Sequence, residues 1–329
     1  MSLTQQLKRP KVALYSYSYA GMSYDGPALS IKEVISRAKG FGFEGIELDC
    51  RTPHAIPYLL KEKDRKEIVD YLAKESIELS ALAANNDFSS PVIEHRDANI
   101  QMVIDMIRLC RDLGAPVLCV FMAWQGTSRR DGLGTHEIAR PGYEMAFPQI
   151  TITERWQHCL EAFRIVVKEA EEQSVILALQ NHPPIVRNHT DCLAMVEEVG
   201  SPNLKISFNI SGEGAWQQTD WILEAGRCLS DRWVYSHFGG GFKREQDGTV
   251  VRIPLGRISG PMQTMDWNYD AWVQAMSEVG YSGYVSYEAC PNYLSNGRYE
   301  PMEVIDRRVQ MAKDYIEQIF TKYYPKGDR

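Results

Sequence analysis

Short runs of apolar and β-branched residues alternate along the whole chain with longer stretches whose apolar positions recur three and four apart. The short runs predict strands over 11–17 (KVALYSY), 44–49, 77–84, 116–122, 175–180, 204–209, 232–237 and 283–288. The longer stretches predict helices near 30–40, 63–75, 96–114, 153–173, 189–199, 216–230, 267–279 and 302–321. Asp191 to Glu198 and Asp270 to Glu278 show the helical spacing clearly, and the segments VISRAKGFG and VQAMSEVGYSG end in Gly, which takes the left-handed conformation that closes a helix. Strand followed by helix is the pattern of a parallel sheet built from βαβ units. Eight such pairs are the number that closes a (β/α)8 TIM barrel, α/β in class.

No shift of composition and no Ser/Gly linker divides residues 1–329, so a single barrel domain is expected. Two connections are long, 123–152 after the fourth strand and 238–265 after the seventh. Loops on that face of a barrel build its active site, so the extra length is read as lid or substrate pocket.

Composition narrows the functional classes. The net charge of −7 argues against a nucleic-acid surface, which needs a basic face. No apolar run approaches the ~18 residues of a membrane span, and the start MSLTQQLKRPKVALYS lacks a secretory signal. Seven cysteines, at 50, 110, 119, 159, 192, 228 and 290, form no C-x-x-C pair. They read as buried, reduced thiols in a cytoplasmic protein.

Strand ends in such a barrel point into one mouth. The last four predicted strands end in Gln180, Asn209, His237 and Glu288, spaced 29, 28 and 51 residues apart, and each of these side chains can bind a metal. Around them stand the segments LALQNH, ISFNIS, VYSH and GYSGYVSYE. With these motifs the chain resembles the xylose isomerase-like barrel superfamily, the sugar isomerase/epimerase and inosose dehydratase group, over nearly its full length. The resemblance implies four metal ligands at these positions, typically Glu, Asp, His and Glu, holding Mn, Mg, Co or Zn.

This sequence keeps His237 and Glu288 but has Gln180 and Asn209 in place of the two acids. It also lacks a His after the strand-six position and an acid after the strand-seven His, where it reads HFGGGF. One carboxylate against a divalent ion leaves the site at +1, where three would leave −1. Each lost charge weakens the Coulomb attraction, so a weakly bound, more Lewis-acidic metal is expected. The alternative is an empty site; that both replacements are isosteric and keep an oxygen favours a retuned one.

His182 follows Gln180 by two residues, and its imidazole suits proton abstraction beside a carbonyl. Since Gln180 carries no proton, His182 and Glu288 are the candidate catalytic pair; the alternative for His182 is a structural hydrogen bond. Glu47 is placed either at the substrate or in an ion pair, and it shares its side of strand two with Asp49. Asn85 is placed either on sugar hydroxyls or in a turn, and Trp124, Tyr15 and Tyr17 either on a sugar ring or in the core. Among the loop charges His136, Arg140, Arg252 and Arg257, Arg252 is taken as a candidate substrate contact.

The leading expectation is therefore metal-assisted proton transfer beside the carbonyl of a keto-sugar or polyol through an enediolate. Reprotonation makes an isomerase or epimerase; loss of a β-leaving group makes a lyase or dehydratase acting on a keto-sugar, keto-inositol or 3-keto-glycoside. A non-catalytic sugar-binding subunit with a degenerate metal site is the alternative of a different class. An endonuclease on the same barrel is disfavoured by the charge and the missing ligands. The expected partner is a small sugar or polyol, with self-association or a hetero-oligomer open and neither nucleic acid nor membrane expected.

Overall fold

The computed structural model describes residues 8–22, 24–124, 126–130, 133–135, 148–253, 267–289, 294–295 and 298–324. Eight parallel strands close on themselves: β1 (Lys11–Tyr15), β2 (Gly45–Asp49), β3 (Glu78–Ala83), β4 (Val117–Val120), β5 (Ile176–Gln180), β6 (Leu204–Ser207), β7 (Trp233–Gly239) and β8 (Tyr284–Glu288). Each strand pairs with its sequence neighbours, and Lys11 opposite Tyr284 joins the last strand to the first. The outer ring is α1 (Ile31–Gly40), α2 (Glu62–Glu75), α3 (Ile93–Leu113), α4 (Ile152–Gln173), α5 (His189–Val199), α6 (Thr219–Leu229), α7 (Tyr269–Glu278) and α8 (Met302–Tyr323). The barrel and its order are those predicted from the alternation of patterns.

Local chemistry explains several boundaries. Ser30 with Glu33, and Thr151 with Glu154, form capping boxes that start α1 and α4 by satisfying otherwise orphaned N–H groups. Gly42 (φ 76°) and Gly280 (φ 69°) turn the chain after α1 and α7, a left-handed conformation that costs glycine little.

Strand residues alternate between two packing layers. Val12, Leu14, Ile46, Leu48, Leu118, Leu177, Leu179, Ile206 and Val285 face outward into the large core shared with the helices. Inside the barrel, small residues such as Ala81, Ala83, Cys119 and Ala178 pack with Tyr15, Tyr17 and Tyr235. The small residues leave the volume that the tyrosines and the polar side chains at the mouth occupy. Of the described cysteines five are buried and Cys228 is exposed, while Cys290 lies outside the described residues.

Several strand ends differ from expectation: β1 stops at Tyr15 before a 3-10 turn, Ser16–Tyr19, and β4 stops at Val120. β6 ends at Ser207, and Asn209 instead precedes a 3-10 turn, Ile210–Gly212. β7 runs on to Gly239, and the connection after it folds into an antiparallel hairpin, Gly241–Arg244 with Val250–Ile253. This hairpin docks on α8: the Gln318 amide both accepts from Val250 N–H (2.9 Å) and donates to its carbonyl (3.0 Å). The described part of this long loop is thus buttressed structure rather than lid. The fourth connection carries a small hairpin, Ser128–Arg130 with Leu133–Thr135. His136, Arg140 and Arg257 lie outside the described residues. No helix among the described residues is long and apolar enough to cross a membrane.

Candidate active site

The inward residues of β2 and β7 meet inside the barrel. The Glu47 carboxylate is fully buried and sits 2.8 and 2.9 Å from His237 Nε2. The Tyr235 hydroxyl donates to it at 3.3 Å and is itself fixed by Ser80 at 2.8 Å. Glu47 is paired, with the imidazole of His237 rather than an Arg as its partner.

Asn209 and His237 are interlocked. Asn209 Oδ1 accepts from the His237 backbone N–H at 2.6 Å, which turns its Nδ2 toward His237 Nδ1 at 3.5 Å. A carboxylate can only accept, so His237 presents an Nε2–H to Glu47 and keeps its lone pair on Nδ1. An imidazole with one N–H on a carboxylate is oriented as metal-binding histidines commonly are, here with Nδ1 facing the Asn209 amide. Burial lowers the pKa of His237, but the Glu47 charge and hydrogen bond outweigh it and the net shift is upward.

Gln180, at the end of β5, is only 8% exposed, and Glu288, at the end of β8, is half-buried. Neither side chain makes a hydrogen bond among the described residues. Their polar atoms are not among the buried unpartnered ones, so both side chains open to the mouth, where a ligand can reach them. Burial raises the Glu288 pKa; His237 and Arg51 oppose the rise, and Glu47 and Asp49 add to it. A cation beside it acts in the opposite sense. The Asn209 oxygen keeps a second lone pair besides the one given to His237 N–H. By chemistry, two amide oxygens, one imidazole nitrogen and one carboxylate are donors that a divalent ion accepts; among the described His, Cys, Asp and Glu side chains, the cluster close enough to share an ion is Glu47, Cys119 and His237.

His182 is half-buried, edge-on to Phe121 (5.3 Å) and Trp124 (5.0 Å). Its Nδ1 lies 2.6 Å from the Pro183 carbonyl, which can only accept, so Nδ1 carries the hydrogen and the lone pair falls on Nε2. This is the neighbouring-carbonyl bond of the structural alternative, and it fixes the tautomer of the ring. Trp124 stacks on Phe121 at 5.2 Å, so its ring belongs to an aromatic wall.

Asp49 forms a second buried network. It accepts from Tyr15 (3.1 Å) and Asn85 (2.8 Å) and pairs with Arg51 (2.5 Å). The Arg51 guanidinium lies 4.3 Å over the Tyr17 ring, and Nη1 reaches Thr127. Asn85 is thus anchored to Asp49, and Tyr15 and Tyr17 belong to this packing. Arg252 lies on the rim beside Gly240, packed on Trp267 (5.1 Å) and Tyr269 (5.2 Å), and donates to the Trp267 carbonyl.

Sequence reasoning missed four contributors. Cys119 puts its sulfur within 4.8 Å of ligand atoms of Glu47 and His237; burial and then the Glu47 charge push its thiol up, so it packs as a neutral side chain. Arg51 follows Asp49 by two residues, a spacing that carried no signal by itself. Asn181 and Glu213, both buried, hold Asn209 from behind; the only hint was the acid just past the strand-six turn.

The sequence profile described as xylose isomerase-like TIM barrel matches residues 35–315. Among solved structures, the chain is similar to D-psicose 3-epimerase with D-tagatose from Clostridium cellulolyticum H10, with a TM-score of 0.66 and 14% identity over 94% of this chain and 99% of that one. It is similar also to 3-keto-D-glucoside 4-epimerase from E. coli (TM-score 0.63, 13% identity, 93% and 99% covered). An L-ribulose 3-epimerase gives a TM-score of 0.62 at 17% identity, covering 97% and 99%. At these identities the structural likeness speaks to the fold.

Proposed function

Because the chain belongs to the xylose isomerase-like TIM barrel family, we propose that it is a sugar isomerase or epimerase that moves a proton beside the carbonyl of a keto-sugar. One observation carries the reading: Glu288 lies within electrostatic reach of a His237 oriented by Glu47, and neither Glu288 nor Gln180 has a hydrogen-bond partner among the described residues. The similar structures named above are epimerases, which supports the same class.

Gln180, Asn209, His237 and Glu288 would hold a divalent ion, which supplies Lewis-acid polarisation of the substrate carbonyl. The remaining chemistry belongs to the side chains. His182 Nε2 accepts the proton from the carbon next to the carbonyl, with the Phe121 and Trp124 rings keeping bulk water from that face. Glu288 returns a proton to the enediolate through the carboxylate oxygen not given to the ion. Return to the opposite face gives the epimer, and return to the neighbouring carbon gives the isomer. Asn85 and Trp124 are proposed to contact the sugar, and Arg252 to contact it from the rim. Gln180 carries no proton, which favours expulsion of a β-leaving group as the second reading.

The test is exchange in D2O with Mn2+ and a panel of D-psicose, D-tagatose, L-ribulose and a 3-keto-glucoside. Deuterium at the carbon beside the carbonyl, reduced about 10²-fold or more in His182→Gln, is the expected result. An eliminated product identifies the lyase. No exchange with any of these sugars, together with no bound divalent metal, leaves the sugar-binding subunit.

A further inference from the structure

We propose that Glu213 is a positioning residue for this site: acting through Asn181, it fixes the peptide of Asn209 and so the contact of Asn209 with His237. The proposal rests on the reading of the barrel mouth as a metal-assisted sugar site.

Glu213 follows the 3-10 turn after β6, and its carboxylate is fully buried. It accepts four N–H donors. Oε1 takes Asn181 Nδ2 (3.0 Å) and the His189 backbone N–H (2.7 Å). Oε2 takes His189 Nδ1 (3.0 Å) and Trp221 Nε1 (2.9 Å). Burying a carboxylate is costly unless its lone pairs are filled in this way, and tying one loop to two helices needs far less than a charge.

The consequence lies at Asn181. Its Oδ1 accepts the Asn209 N–H at 2.8 Å and its Nδ2 donates to the Asn209 carbonyl at 2.9 Å, so one side chain grips both ends of that residue. The second Nδ2 hydrogen goes to Glu213. A carboxylate offers no proton, so Glu213 accepts only the amine end and locks Asn181 the one way up that fits Asn209. From there the chain of bonds continues through Asn209 to His237 and Glu47. It runs from the first turns of α5 and α6 to the centre of the barrel. Gly212 completes the device, because a Cβ there would stand 1.9 Å from the Asn181 carbonyl.

Glu213→Gln tests this. One amide oxygen cannot serve four donors, and its NH2 would face N–H groups. In the folded variant we expect exchange of the Asn209 amide, followed by NMR or on the peptide that contains it, to speed up at least about tenfold. Mn2+ binding by calorimetry should weaken about tenfold, as for other groups that orient ligands. In an Asn209→Ala background the same change should add nothing to the loss of Mn2+ binding. Unchanged exchange, or an undiminished further loss in that background, overturns the proposal. If Glu213→Gln does not fold, Trp221→Phe removes a single donor from a partly exposed residue and should move both readings the same way by a smaller factor; no movement overturns it. If the unaltered protein binds no Mn2+, the reading of the mouth has failed, and amide exchange alone decides whether Glu213 acts through Asn181.

Discussion

At the scale of single residues the site turns on which groups are already spoken for. Glu47 illustrates this: its position on β2 could be read from the sequence, but its partner could not, because His237 lies 190 residues away across the barrel. The pair predicts that Glu47→Gln, which preserves shape, leaves a neutral acceptor on the His237 N–H and a less basic imidazole. Calorimetric Mn2+ affinity should then fall about 10- to 100-fold with the fold intact. Equal affinity would take Glu47 out of the site. The position of His182 two residues beyond Gln180 makes it a candidate base from sequence. Its tautomer is not legible there, since that depends on the Pro183 carbonyl 2.6 Å from Nδ1. Asn181 escaped notice for a related reason: an Asn beside a strand end is unremarkable until both ends of its amide are seen on Asn209.

At the scale of elements, periodicity located every strand and helix of the barrel, because outward strand faces of Val, Ile and Leu meet amphipathic helices. What it could not resolve were ends decided by tertiary contacts. The apolar run 204–209 reads as strand throughout, yet Asn209 leaves the ladder to be held by Asn181. The loop after β7 reads as lid or substrate pocket, and its described hairpin is held against α8 by Gln318. Helix packing gives a second prediction. Gly226 lies inside α6, where Ala would ordinarily gain about 1 kcal/mol of helix propensity. Here a Cβ would meet the Ala275 Cβ of α7 at 2.8 Å. Overpacking of a close helix contact costs roughly 1–3 kcal/mol, so Gly226→Ala should lower stability in urea unfolding. A rise of the full propensity gain would show that α6 and α7 separate freely.

For the whole molecule, the barrel was legible because closure needs only the count and order of its units, whereas the charge balance of its mouth needs the coordinates. Glu47, Asp49 and Glu288 face that region with Arg51, so the folded chain holds acids at its centre against their mutual repulsion. A divalent ion that binds only the folded state should stabilise it by about 2.7 kcal/mol at a hundredfold excess over Kd. For a domain of this size that is several degrees of melting temperature, on the order of 5 °C, reversed by a chelator. Gln180→Glu with Asn209→Asp sharpens the test, since two further carboxylates raise the repulsion in the free protein and the attraction in the loaded one. The double variant should melt lower than the parent without metal, gain more from Mn2+, and turn over the native sugar more slowly, because a less electrophilic ion polarises the carbonyl less. A melting temperature that ignores both Mn2+ and chelator, in parent and variant alike, would sink the metal-assisted mechanism.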